Sequence, residues 1–270
     1  MALEFQVPVA TGRPGAAIPA RRPVYLLPTN RIEVRAEHAA LVVAQPSAPA
    51  RWIPIGRIDR IVCNQHVDWT GSALQLCMAR GITISFSGRR DQTAGYLLPH
   101  VADEQTLNAC LERFVSQPGA GSSLENWLRH RRMRVLREWA HERISRGHSV
   151  GNAEFCDLKR RWVYQSEVTP MLAPHMLSVC RAAVLARLHS AGALPNYVTS
   201  QGNPYPLLEM LAQLVWGEMN LDAGILAASC SDDCAQLIFV EGWLANNRES
   251  IAEHLRALAV FVGKKLHIWH

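Results

Sequence analysis

The chain has 270 residues, a formal charge of +5, 49% apolar residues and a mean hydropathy of -0.03. Those values place it among soluble globular proteins, long enough for one large domain or two small ones with real cores. No apolar run approaches a membrane span, and the first twenty residues hold no continuous apolar stretch, so neither a membrane nor an export signal is expected.

Residues 1–23 read as a flexible arm, because Pro8 to Pro23 is rich in Pro, Ala, Gly and Arg. Seven cysteines, at 63, 77, 110, 156, 180, 230 and 234, form an odd set without an export signal, which points to reduced thiols in the cytoplasm. Cys230 and Cys234 flank Ser-Asp-Asp, but no second pair at ligand spacing lies nearby to complete a zinc site. The chain carries 25 arginines against 3 lysines. Arginine is the better fork for phosphate oxygens, although GC-rich codon usage gives the same bias.

Val24 to Leu27, Ile32 to Val34 and Ala39 to Val43 read as short strands. After Pro54, Ile55, Ile58, Ile61 and Val62 form another β-prone run. Thr70 offers an N-cap for a short helix bearing Ala73, Leu74 and Cys77, and Gly81 stops it. Ile82, Ile84 and Phe86 then alternate with Thr83 and Ser85, the mark of a half-buried strand. Gly88 to Asp91 is a turn and Ala94 to Leu98 the returning strand.

The run I-P-x-x-R-I-D-R-I-V, then A-x-R-G-I, an apolar strand and a basic turn resembles the N-terminal β domain of the CRISPR spacer-acquisition integrases (CRISPR-associated protein one). The matching residues are Ile53, Pro54, Arg57 to Val62, Ala79 to Ile82 and Arg89 to Gly95. The resemblance implies an α+β protein of two domains, an N-terminal antiparallel β domain followed by an all-α one. It also implies a homodimer joined through the β domain, and pairing with the small second adaptation protein or other CRISPR-associated proteins. The expected boundaries are 1–99 for the β-rich domain, 100–123 for a helix and linker, and 124–270 for a helical nucleic-acid-binding domain.

Asp103 to Phe114 has helical spacing through Leu107, Leu111 and Phe114, and Gln117 to Ser123 reads as the linker. From Leu124 a long helix places Leu124, Leu128, Val135 and Trp139 on one flank. His130, Arg134, Arg137 and His141 lie roughly opposite. Between Arg129 and Arg146 stand seven arginines against two glutamates, a surplus equal to the charge of the whole chain. A solvated charged face would look the same, but with the family resemblance this helix is expected to contact DNA. The candidate contacts are Arg129, Arg131, Arg132, Arg134, Arg137, Arg160 and Arg161. Further helices are expected from Pro174 to Gly192, from Glu209 to Met219, and from a capping box at Ser250 and Glu253.

The resemblance resumes at Ala183 to Leu214. There the family has a P-x-x-G-F-x-H loop followed by helix acids, which with an earlier glutamate hold Mn²⁺ or Mg²⁺. Here the histidine position falls on Gln201, or on Thr199 or Ser200 if the loop shifts. The first helix acid matches Glu209, and the second position falls on Ala212 or Gln213. At 100° per residue Glu209, Gln213 and Trp216 share a face, with Leu207, Leu211 and Leu214 behind. The earlier glutamate is best matched by Glu154, with Asp157 second; either also reads as an ordinary first-turn helix acid.

Glu154 and Glu209 are thus the candidate catalytic residues of a site expected to be degenerate. No cofactor is expected, with Mg or Mn the metal if the site is active. The resulting expectation is a DNA-binding homologue of the integrase, a homodimeric scaffold with lost or weakened catalysis. One alternative is an active metal-dependent nuclease-integrase drawing ligands from His175, His189, Glu154, Glu209 and Glu218. The other is an RNA- or protein-binding subunit of a larger effector complex. No G-x-S-x-G, Walker loop or H-E-x-x-H offers another chemistry.

Overall fold

The computed structural model describes residues 21–46, 48–88, 93–99, 106–168, 171–191, 206–226 and 232–266. The β-rich region holds β1 (Arg22–Leu26), β2 (Ile32–Glu37), β3 (Ala40–Gln45), β4 (Ala48–Pro54), β5 (Ile58–Cys63), β6 (Val67–Trp69), β7 (Thr83–Ser87) and β8 (Thr93–Leu97). A helix α1 (Gly71–Ala79) precedes β7. The helical region follows with α2 (Thr106–Val115), α3 (Ala120–Ser145), α4 (Asn152–Leu158), a π-helical turn at Lys159–Tyr164, α5 (Met176–Ser190), α6 (Leu207–Leu226), α7 (Asp233–Asn246) and α8 (Arg248–Lys265). No helix among the described residues is long and apolar enough to cross a membrane.

A β-rich region followed by helices is the expected order, but the strand pairing is mixed rather than antiparallel throughout. One sheet runs β1-β5-β7-β8 and the other β4-β3-β2-β6. The pairs β1/β5, β5/β7 and β2/β6 are parallel. The cause is the chain path: it leaves the first sheet after β1, builds three strands of the second, and returns for β5. Sequence neighbours therefore often lie in different sheets. β4 is a further strand beyond those expected, and it tolerates Pro49 and Pro54 because it lies at a sheet edge.

Local signals set α1. Thr70 Oγ1 accepts from the Ala73 N–H at 3.3 Å, and Gly81 follows the helix at φ 70°, where a Cβ would be strained. Ile82, Ile84 and Phe86 face the β-region core, as their alternation predicts. Thr83 and Ser85 are buried as well, because α5 packs on β5 and β7 and covers the other face of that sheet. The period-2 pattern thus marks a strand buried on both sides.

The same inter-layer surface carries Tyr25 and Arg60, which meet Glu241 of α7. Burial works against the charge of Arg60, yet Tyr25, Glu241 and Asp59 around it raise its pKa. Burial likewise pushes the Tyr25 hydroxyl well above the usual tyrosine range. A polar cluster thus joins the β-rich region to the helices.

The helical core is built from α2, α3, α5, α6, α7 and α8, around Leu111, Leu124, Val184, Leu211 and Leu258. α3 starts at Ala120, inside the stretch read as linker, and the Ala120 side chain is buried. α8 starts at Arg248 rather than at Ser250, so Glu253 is not a capping residue and turns to arginines of α3 instead. The described cysteines are free thiols; Cys234 is exposed, and Cys230 lies outside the described residues.

Candidate nucleic-acid interface and carboxylate site

α3 buries Leu124, Leu128, Val135 and Trp139 and exposes His130, Arg134, Arg137 and His141, as the sequence pattern predicts. Arg131 and Arg132 differ from their neighbours. Both are buried, because α3 is flanked on one side by α8 and on the other by the segment after the π-helical turn. Arg131 donates through Nη2 to His254 Nδ1 at 2.6 Å, and His254 Nε2 donates to Glu218 Oε1 at 2.8 Å. That order of partners puts the imidazole proton on Nε2. Arg132 donates to the Ser166 hydroxyl at 2.6 Å and has no carboxylate partner among the described residues. Burial, helped by the nearby charge of Arg129, lowers its pKa.

The exposed arginines form one wall of an open groove of about 820 Å³. Arg129, His130, Arg134 and Arg137 come from α3, and Lys159, Val163 and Tyr164 come from the π-helical turn opposite. Glu138 is the acid in this lining, and it is tied to Arg134 at 2.7 Å. Arg134 also meets Glu253 at 3.0 Å, and Arg129 meets Glu125 at 2.6 Å. Neither Arg137 nor Lys159 is paired with a carboxylate among the described residues. Arg160 and Arg161 do not line the groove; both are bound to Asp157, at 2.7 and 2.5 Å. The groove is therefore basic at Arg137 and Lys159 above all, and its potential favours a polyanion.

The turn owes its position to packing. Trp162 and Val163 are buried in a small core with Val135, Leu136 and Leu214. The Trp162 indole packs directly on Gly217 of α6, where an added Cβ would lie 2.2 Å from the indole nitrogen. Lys159 and Tyr164 were missed as groove residues by sequence reasoning. The signal was present in K-R-R-W-V-Y, a basic run with interleaved aromatics.

The carboxylate site is a different place. Glu209, on the first turn of α6, accepts from Arg181 Nε at 2.8 Å and from Arg181 Nη2 at 2.9 Å. Gln213, one turn on, donates its amide to the same carboxylate at 2.9 Å. Burial opposes ionisation of Glu209, but the hydrogen bonds from Arg181 and Gln213 prevail and hold its pKa below the usual range. Arg181 lies 28 residues away on α5, so sequence periodicity gave no warning of it.

Glu154 stands elsewhere. It faces Arg143 at 3.8 Å, and Arg143 stacks over Trp139, whose indole donates to the Leu221 carbonyl. Leu221 is twelve residues beyond Glu209 on α6, roughly 18 Å along the helix axis. No hydrogen bond or ion pair joins Glu154 to Glu209 among the described residues, and each carboxylate has an arginine of its own.

The remaining groups also have separate partners. Glu218 binds His254, His175 faces Asp233 at 3.6 Å, and His189 Nε2 meets the Pro99 carbonyl at 2.9 Å. Among the described residues no three His, Cys, Asp or Glu side chains could hold a metal ion. A hard divalent cation needs several free oxygen donors, and Glu209 already spends both oxygens on a guanidinium. The described groups around Glu209 do not fit such an ion. Gln201, Thr199 and Ser200 lie outside the described residues.

Among solved structures, the chain matches a CAS1 protein from Thermotoga maritima with a TM-score of 0.62 and 14% identity, over 89% of this chain and 96% of that one. Residues 25–123 match the family model for CRISPR associated protein Cas1. The chain carries the Cas1 fold. A TtCas1–DNA complex matches with a TM-score of 0.57 and 13% identity, over 88% of this chain and 91% of that one. A casposase bound to an integration product matches at 0.60 and 12%, over 90% of this chain and 91% of that one. Among curated proteins none matches. Placed on the Cas1 fold, the family-model match covers the β-rich region, α2 and the start of α3.

Proposed function

We propose that this chain is a DNA-binding Cas1 homologue that acts as a homodimeric scaffold in CRISPR immunity, with metal-dependent catalysis lost or weakened. The observation that carries this reading is the closed arrangement at Glu209. A bidentate arginine and a glutamine amide surround the carboxylate that the family's motif would give to a metal. The basic groove between α3 and the π-helical turn supports the DNA part. Similar folds include one solved in complex with DNA and one bound to an integration product. Pairing of two copies through the β-rich region, association with the small second adaptation protein, and work in the cytoplasm belong to the same proposal.

The test combines binding with turnover. Electrophoretic mobility shifts with duplex, forked and single-stranded DNA at two salt concentrations should show salt-sensitive binding. RNA competitors should displace the DNA less well than unlabelled DNA does. Nuclease and integration assays with Mg²⁺ or Mn²⁺ should stay at background. Robust turnover abolished by Glu154→Ala or Glu209→Ala would overturn the catalytic half. Tighter binding to RNA than to DNA would overturn the other.

A further inference from the structure

We propose that Tyr164 is a base-stacking platform that makes the α3 groove selective for unpaired DNA nucleotides. This rests on the reading of the groove as a DNA site and names the form of DNA it takes. Three observations converge. Tyr164 is 57% exposed, directly after Trp162 and Val163, which are 3% and 2% exposed. The backbone is wound as a π-helix over Lys159–Tyr164, and i→i+5 bonding sets Lys159 and Tyr164 beside each other. Both then line one wall of the groove, opposite Arg134 and Arg137.

The chemistry follows from that juxtaposition. Lys159 and Arg137 lack carboxylate partners among the described residues and can take successive backbone phosphates. Tyr164 offers a large flat ring beside them, anchored from behind by Trp162 packed on Gly217. Every base has a π-face, so stacking on such a ring is tolerant of sequence. A base in the interior of a duplex has both faces occupied by its neighbours and cannot use it. The ring therefore discriminates between unpaired and paired DNA, while the cations serve both.

The experiment measures affinity of the full chain for a fluorescein-labelled oligothymidylate and for a blunt hairpin duplex at one salt concentration. Tyr164→Ala should weaken the single strand about tenfold or more and leave the hairpin within about twofold. Tyr164→Trp and Tyr164→Phe should restore single-strand binding. A 5-iodouracil in the oligonucleotide should photocrosslink to Tyr164, as identified by peptide mass spectrometry. Equal weakening of both ligands by Tyr164→Ala, or of neither, would overturn the stacking role. If Arg137→Ala weakens both ligands while Tyr164→Ala weakens neither, the stacking role falls and the DNA reading stands. If the wild-type chain binds neither ligand, both fall together.

Discussion

Arg60 Nη2 on β5 donates to Glu241 Oε1 on α7 at 2.6 Å, and this bond crosses from the β-rich region to the helices. Arg60 also meets Asp59 at 3.1 Å, and the Tyr25 hydroxyl donates to the same Glu241 oxygen. Removing Glu241 would leave the buried Arg60 with Asp59 as its remaining carboxylate and take the acceptor from the Tyr25 hydroxyl. Glu241→Ala should therefore cost about 1–3 kcal/mol in urea denaturation. Arg60→Met combined with Glu241→Leu should cost much less than the two single changes added, which the same double-mutant cycle measures.

Gly217 permits the close approach of α6 to the Trp162 indole, and no other residue type leaves that space. Gly217→Ala should destabilise the fold by about 1–3 kcal/mol, because overpacking here is resisted by an aromatic ring with nowhere to move. The same change should lower DNA affinity, since Lys159 and Tyr164 ride on the turn that Trp162 anchors. Thermal denaturation and DNA titration on one preparation check both effects.

The arginines of α3 divide by exposure, and the division predicts their phenotypes. Arg137→Ala with Lys159→Ala should reduce the magnitude of the slope of log affinity against log salt by about 1.8 for duplex DNA. Arg132 is buried against Ser166 alone, so Arg132→Met should leave that slope unchanged. It should also leave stability unchanged or raise it, because a poorly compensated buried charge is removed. Salt titrations of binding and urea midpoints of the three proteins test this.

Glu209 has a carboxyl pKa below its unfolded value, since the bonds from Arg181 and Gln213 outweigh the effect of burial. Its contribution to stability is thus fully present above the unfolded value of about 4.3 and is lost as pH falls through the lower folded value. Glu209→Gln should flatten the stability profile in that acid window and lower stability at neutral pH. Urea midpoints measured from pH 7 down to acid conditions check the sign.

Much of the frame was legible because local chemistry sets it. Thr70 and Gly81 bound α1, and the spacing of Leu124, Leu128, Val135 and Trp139 gave the buried flank of α3. What escaped depends on residues distant in sequence. Arg131 and Arg132 look like surface cations until His254 and Ser166 are placed beside them. Glu209 looks like a free carboxylate until Arg181 is brought across from α5. The π-helical winding at Lys159–Tyr164 carries no periodic mark of its own, so Tyr164 was hidden within a basic run.

The alternation of the two sheets along the chain also governs how the β-rich region can form during synthesis. β1 has no hydrogen-bonding partner until β5 has been made, and β2 waits on one edge for β6. Neither sheet can be completed by hairpins alone, so its formation is governed by non-local loop closure, which is slow. A nascent chain halted before β5 exposes the Val24 to Leu26 edge to any other extended segment. The parallel pairings that hold β1 and one edge of β2 in place thus make the first strands of the β-rich region dependent on the later ones.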